Sequence, residues 1–408
     1  MIKRLRGRHT LAWRRRRRLA KQAAEWSRKR FFMIKVLNII SDTNIGGAGK
    51  VLINYAKYRD RTNFDMSAAV PVGSMLIEPL REQGVTVYEV DAMADASFDR
   101  KAIGKLKLLI RDVDPDIVHT HGSLSGRIAA KQCGKKIIYT RHCAFPIKGY
   151  MKHGPGKWAN YLINMHYTDR IIAVGDATRD NLVESGIPAK YIDTMMNGTE
   201  PVILPSEEEC LQIRKSYGIS ADDFVVGIMA RIEIYKGHDD ILDAVASLAA
   251  EGRKIKLAVA GTGTYEDAFK ARVSEMVAEK KLPEGTVIFA GFISKIERIL
   301  AIMDVQVNAS FESEASSLSI IEGMSAGIPS VVSDCGGNPA LIEDGENGYV
   351  FPARDTGALA DCLRALADDK ALADRLRAGS KRIYEEKFTG KIFAENIENV
   401  YRNLVNRK

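Results

Sequence analysis

From Ile34 onward, short runs of β-branched and aliphatic residues alternate with longer stretches of helical period. A parallel α/β sheet is the architecture that accommodates that order. The runs predict strands at 34–41, 66–71, 85–90, 116–119, 136–140, 170–174 and 191–195, then at 224–229, 255–260, 286–290, 305–308 and 330–333. Helical stretches at 48–60, 75–83, 100–112 and 176–185, and later at 237–250, 264–281, 295–302 and 317–326, fall between them. The two halves open alike. Strand 34–41 runs into Asn44-Ile45-Gly46-Gly47-Ala48-Gly49 and a helix, and strand 224–229 runs into Arg231-Ile232-Glu233-Ile234-Tyr235-Lys236-Gly237 and a helix. The turn-rich Asn197-Gly198-Thr199-Glu200-Pro201 separates them. The expected fold is α/β, with Rossmann-like domains at 33–199 and 200–388 facing a central cleft, since such sheets bind ligands at their strand C-terminal ends.

Residues 1–32 have another character. They carry thirteen Lys/Arg against one acid, Glu25, interleaved with Trp13, Trp26, Phe31 and Phe32. Taking them from the 60 basic and 52 acidic residues of the chain leaves 47 and 51, so a net charge of +8 is a basic arm on a body of −4. Three readings of the arm stay open: contact with an anionic membrane surface at ~1 kcal/mol per basic residue, nucleic-acid binding as the less expected partner, or an extension ahead of a natural start at Met33. It has no apolar core segment or small-residue cleavage site, so a secretory signal is excluded. No apolar run approaches the ~18 residues of a membrane-spanning helix. Cys133, Cys143, Cys210, Cys335 and Cys362 are odd in number and form no CxxC, which argues against a disulfide framework or cysteine zinc site and for a cytoplasmic location.

Several apparent motifs fail on inspection. Gly46 to Lys50 lacks the first glycine and the Ser/Thr of a phosphate-binding P-loop. Gly261-Thr262-Gly263 follows a good strand, but Glu266 stands where a dinucleotide fingerprint needs glycine. Asp112-Val113-Asp114 has metal-binding spacing yet sits at a helix end, where a solvated acidic turn is the simpler reading. His119 and His121 share a strand face without a neighbouring carboxylate to complete a set, so no metal is expected. The glycines around Ser123 and Ser125 do not fit a nucleophile elbow.

The stretch Asn308 to Pro329 is informative. A strand ends, a polar loop follows, and a helix begins near Ser317, whose free N–H groups and dipole make an anion site. Ser316 and Ser317 are positioned to cap it and add hydroxyl donors, and Leu318 opens the helix. Glu314 precedes this site and Glu322 lies beyond its first turn. The two carboxylates, which only accept hydrogen bonds, suit sugar hydroxyls and a ribose diol. Arg231 and Lys236 supply cations for the same anion; a solvated basic turn is the competing reading.

These residues resemble the nucleotide-sugar half of GT-B glycosyltransferases of the large retaining family 4. The Arg-x4-Lys-Gly loop is matched by Arg231 to Gly237, the Glu-x7-Glu pair by Glu314 and Glu322, and a following Gly-Met-x-x-Gly-x-Pro run by Gly323 to Pro329. The resemblance covers most of 33–400, including Gly46-Gly47, His119-Thr120-His121-Gly122 and Asn197-Gly198. It departs at Ala230, where the family has glycine, and at Ala315-Ser316-Ser317, beside the expected sugar pocket.

The resemblance implies roles. Gly47, with Gly46 before it, would approach the donor phosphates and His121 would face the transferred sugar. Arg231 and Lys236 would neutralise the diphosphate, Glu314 hold sugar hydroxyls, Glu322 the ribose, and the backbone at Phe292-Ile293 receive the base. A last helix near 389–407, within a terminal segment 389–408, would cross back to the first domain.

The implied function is metal-independent, retaining transfer of a sugar from a nucleotide-diphosphate sugar to a glycan or lipid-linked acceptor, in envelope or surface polysaccharide assembly. The acceptor would enter near Gly122–Ser125 and His142–His153, where Lys148, Lys152 and His153 gather. No cofactor is implied. The implied site is cytoplasmic, at the inner membrane face where the arm engages it. An epimerase or phosphorylase on the same fold, and a non-catalytic binding protein with a basic arm, are the alternatives.

Overall fold

The structure is a computed structural model that describes residues 33–147 and 149–406. The basic arm and Lys148 therefore lie outside the described residues. The first sheet holds β1 (Ile34–Ile40), β2 (Phe64–Pro71), β3 (Thr86–Val90), β4 (Ile117–His121), β5 (Lys136–Arg141), β6 (Arg170–Ala173) and β7 (Ile192–Thr194), in the order β3-β2-β1-β4-β5-β6-β7. The second holds β8 (Phe224–Met229), β9 (Ile255–Ala260), β10 (Val287–Gly291), β11 (Val305–Asn308), β12 (Ser330–Ser333) and β13 (Gly348–Phe351), in the order β10-β9-β8-β11-β12-β13. The central ladders are parallel, as in β1 with β2 and β4 and in β8 with β9 and β11. Strand β1 is buried over its last five residues, the near-continuous apolar run of a strand covered on both faces.

Each sheet reverses its strand order once, between β1 and β4 in the first and between β8 and β11 in the second. The loops leaving these strands open a crevice where ligands bind in such sheets. Helix α1 (Gly47–Tyr58) follows β1, α2 (Gly154–His166) lies between β5 and β6, α3 (His238–Ala250) follows β8, and α4 (Leu318–Ser325) follows β11.

The two-sheet α/β architecture is the one the alternation predicts. Strand β13 lies outside the predicted set: it opens on a glycine, and its Tyr349 and Val350 are only partly buried, so it lacks the β-branched apolar run that marks the other short strands. The last helix, α5 (Gly390–Asn406), leaves the second domain's chain and packs on the first. Its Phe393, Ala394, Ile397, Val400, Tyr401 and Leu404 join the core built by β1, β2 and α1. Asn54 donates to the carbonyl of Gly198 at 3.1 Å, and Tyr384 to that of Thr199 at 2.8 Å, so the interdomain segment is pinned from both sides.

Candidate active site

The loop from Arg231 to Gly237 returns to its domain through one helical turn, Ile234–Lys236. Gly237 has φ 72° and rests on the carbonyl of Ala309, where any Cβ would overlap it. That close approach brings Lys236 over the end of β11. Its Nζ lies 2.8 Å from Glu314 Oε2 and 3.4 Å from Ser310 Oγ. Asn308 Nδ2 donates to the same Glu314 oxygen at 3.0 Å, and Ser310 Oγ lies 3.2 Å from it. Among the described residues, Glu314 Oε1 accepts no hydrogen bond, which leaves one face of a fixed carboxylate for a ligand. Arg231 is exposed, donates to Tyr235 Oη at 2.9 Å and is in no ion-pair contact among the described residues.

Ser317 stands at the N-cap of α4, but its hydroxyl makes no cap bond and lies 3.2 Å from Ser319 Oγ. Ser316 Oγ instead accepts from the Asn197 N–H at 3.3 Å. The expected serine caps are thus replaced by a tie to the interdomain segment. The N–H groups of Leu318, Ser319 and Ile320 are left without partners among the described residues, where the helix dipole favours an anion.

Gly47 faces these groups from the first domain. Nothing lies within 4 Å of the place a Cβ would take there, so the backbone is open to the cleft. Gly46, the N-cap of α1, stands just behind it. Together Gly47, Arg231, Lys236, Glu314, Ser317 and Leu318 line a cavity of about 310 Å³, which Ser316 also borders.

The histidines depart from the implied arrangement. His119 is fixed by Tyr401 Oη at 2.7 Å and Thr140 Oγ1 at 2.6 Å. His121 lies 4.5 Å from it, ring to ring, with Nε2 3.2 Å from Asn38 Oδ1 and Nδ1 2.9 Å from His142 Nε2. Both His121 nitrogens are therefore engaged, and it does not line the cavity. His142 does, with Cys143 and Phe145. Desolvation pushes His142 down to about 4 and His119 down to about 3, and holds His121 well below the usual imidazole range. The stack is neutral near pH 7.

A second lobe of about 230 Å³ adjoins the first and is lined by Phe292, Ile293, Glu322, Lys50 and Arg231. Phe292 is 77% exposed. Lys50 reaches from α1 to Glu322 Oε1 at 3.1 Å, an ion pair between the domains. Burial raises the Glu322 carboxyl above its ordinary range, and Lys50 opposes that shift.

Of the residues singled out by sequence, Gly47, Arg231, Lys236, Glu314, Ser316, Ser317 and Leu318 meet around one lobe. Phe292, Ile293 and Glu322 meet around the other, and His121 and Gly46 stand behind. Of the residues expected near the acceptor, Lys152 is paired with Glu184 at 2.9 Å. Sequence reasoning placed His142 only within the expected acceptor-entry stretch His142–His153, and gave no role to Asn308, Ser310 or Tyr235. His142 follows the end of β5, so the strand-end rule itself was the signal that could have found it.

Comparison with known proteins gives a consistent answer. The family described as Glycosyltransferase Family 4 matches residues 45–202, and that described as Glycosyl transferases group 1 matches residues 211–383. The chain is 29% identical over 287 residues to the putative glycosyltransferase EpsD of Bacillus subtilis (strain 168), covering 67% of this chain and 72% of that protein. It is 26% identical over 293 residues to the UDP-Gal:alpha-D-GlcNAc-diphosphoundecaprenol alpha-1,3-galactosyltransferase of Escherichia coli, covering 67% and 72%. The crystal structure of Anabaena Alr3699/HepE in complex with UDP superposes with a TM-score of 0.78 at 20% identity, over 91% of this chain and 100% of that one.

Proposed function

Because the chain belongs to the GT-B glycosyltransferases, we propose that it moves a sugar from a nucleotide-diphosphate sugar to a glycan or lipid-linked acceptor, with retention and without metal. The observation that carries this reading is the meeting of Arg231, Lys236 and the uncapped start of α4 at one lobe, beside a carboxylate with one oxygen unoccupied. Lys236, Arg231 and the α4 N–H groups stabilise the diphosphate as its charge develops. Glu314 Oε1 accepts from sugar hydroxyls, His142 borders the same sugar, and Glu322 takes the ribose diol in the second lobe. The base lies against Phe292-Ile293.

Retention fits the carboxylate inventory. Among the described residues lining the larger lobe, Glu314 is the acid, and Lys236 and Asn308 already hold it. The leaving phosphate then takes the acceptor's proton on the same face. The UDP held by HepE supports the donor class, and the diphosphoundecaprenol acceptor of the E. coli relative supports a lipid-linked acceptor in surface polysaccharide assembly. The basic arm supplies electrostatic adsorption to the inner membrane face.

A thermal-shift panel of UDP-, GDP- and ADP-sugars tests the reading. A ligand at 100 times its Kd adds about 2.7 kcal/mol, so one class should raise Tm in the native chain and fail to do so in Lys236→Ala. No response to any nucleotide sugar would remove the donor site. Anomeric coupling constants of the transferred sugar test retention, and an inverted product would overturn it.

A further inference from the structure

Helix α2 has its polarity turned inside out. Its outward positions are Pro155, Trp158, Ala159, Leu162, Ile163 and His166, all exposed, with Trp158 at 65%, Ile163 at 43% and Leu162 at 40%. Its inward positions carry amides beside Met165, which packs on the core around Ile171. Asn164 is buried, accepts from Arg127 Nη1 at 2.8 Å and donates to the Asn160 carbonyl at 2.8 Å. Asn160 donates to the Ser185 carbonyl at 2.9 Å. Arg127, itself buried, stacks on Tyr139 at 4.4 Å. Specific hydrogen bonds thus fix the helix with its apolar stripe facing out, against the usual arrangement of a surface helix.

Charge narrows what covers that stripe. Residues 117–168 contain eight Lys/Arg and no Asp or Glu. Around α2 these include Lys152 and Lys157, with His153 and His166 at the helix ends. The acids of the neighbouring helix Asp176–Glu184 include Glu184, paired with Lys152 at 2.9 Å, and Asp180, paired with Arg179 at 3.1 Å. An apolar stripe with tryptophan, on a helix that carries no acid of its own and is bordered by Lys157, His153, His166 and a Lys152 paired with Glu184, matches an anionic lipid interface.

We propose that α2 docks the enzyme on an anionic bilayer, laying Trp158, Leu162 and Ile163 into the headgroup–acyl boundary. Phe145, in the segment between β5 and α2, lines the cleft. The proposal does not depend on the donor assignment.

The test uses the full chain and vesicles of phosphatidylcholine with phosphatidylglycerol, in about 0.5 M NaCl to screen the basic arm. The native chain stays bound. The W158S/L162S/I163S variant loses roughly tenfold or more in partition, while its thermal response to nucleotide sugars is unchanged. In a W13F/W26F background Trp158 is the remaining tryptophan of the chain's three, and its emission should shift to the blue and be quenched by brominated lipid. Equal partition of the triple variant, absence of quenching, or, at about 0.1 M NaCl, equal binding to pure phosphatidylcholine would overturn the proposal. So would a lipid-free native dimer that the triple variant converts to monomer, because the stripe would then belong to a second copy.

Discussion

Across the cleft, the second domain presents Arg231, Lys236 and the uncapped start of α4, whereas the first presents His142 backed by His121 and His119. One wall is cationic and the other is neutral. The contrast follows from how each strand end is built. The β8 and β11 loops meet at Gly237 and leave charged groups facing open space. The β4 and β5 ends stack three imidazoles on one another under Tyr401 of α5, and the resulting desolvation strips their protons. In the proposed reading, the charged groups for an anion come from one side only, and the other side is left to recognise neutral hydroxyls.

The largest effect should come from breaking the charged wall. Lys236→Ala and Glu314→Gln should each lower kcat/KM by ~10²-fold or more, since each removes a charge-assisted contact concentrated in the transition state. Circular dichroism and Tm should show a retained fold. Near-native turnover in either well-folded variant would take the diphosphate and sugar away from this lobe.

The neutral wall should give a smaller loss. His142→Ala should lower kcat/KM by about tenfold, the scale of one neutral hydrogen bond to a sugar hydroxyl. With the native ring titrating near 4, the pH–rate profile should show no limb from His142 between pH 6 and 8. The same depression has a stability consequence. The folded His142 is neutral where an unfolded histidine, with pKa near 6.5, takes up a proton. Stability should therefore be intact above about pH 6.5 and decline as pH falls towards 4. His119 and His121 shift the same way and extend that decline to lower pH. A Tm that does not change between pH 7 and 4.5 would break the contrast between the walls.

The same contrast marks what sequence discloses. The charged wall was legible because its parts lie close together in the chain: Arg231 to Gly237 is one loop, and Glu314 to Glu322 one strand-end loop and helix. Local spacing assembles each segment, and the two meet where Gly237 rests on Ala309. The neutral wall was not legible in this way. His121 and His142 sit on separate strands, and which ring stands in front depends on the β4–β5 pairing and on a contact from Tyr401 near the far end of the chain. Capping failed for a similar reason. Serine at an N-cap is locally favoured, but the hydroxyl of the N-cap Ser317 turns to Ser319, and that of its neighbour Ser316 is claimed by Asn197 from a segment more than a hundred residues away. The parallel sheets were readable because fully buried strands such as β1 carry unbroken apolar runs.

The smallest expected effect concerns metal. Asp112-Val113-Asp114 has the spacing of a metal-binding pair, and a cation there would rival the charged wall as the neutraliser of the diphosphate. Its position argues otherwise. Asp114 caps the helix Arg100–Val113 in a left-handed conformation, and its carboxylate is paired with Lys135. It precedes β4 at the N-terminal edge of the sheet, whereas the cleft opens at the C-terminal edge beyond His121. Five residues of strand separate the two edges, about 16 Å at the usual rise, too far for one cation to bridge the pair and a diphosphate in the cleft. In the proposed reading, charge neutralisation falls to Arg231, Lys236 and α4. Turnover should remain within about twofold after exhaustive EDTA treatment, and Asp112→Asn with Asp114→Asn should leave it equally unchanged. Activity that vanishes with EDTA and returns only with Mn²⁺ or Mg²⁺ would mean that the cationic wall is incomplete without a metal.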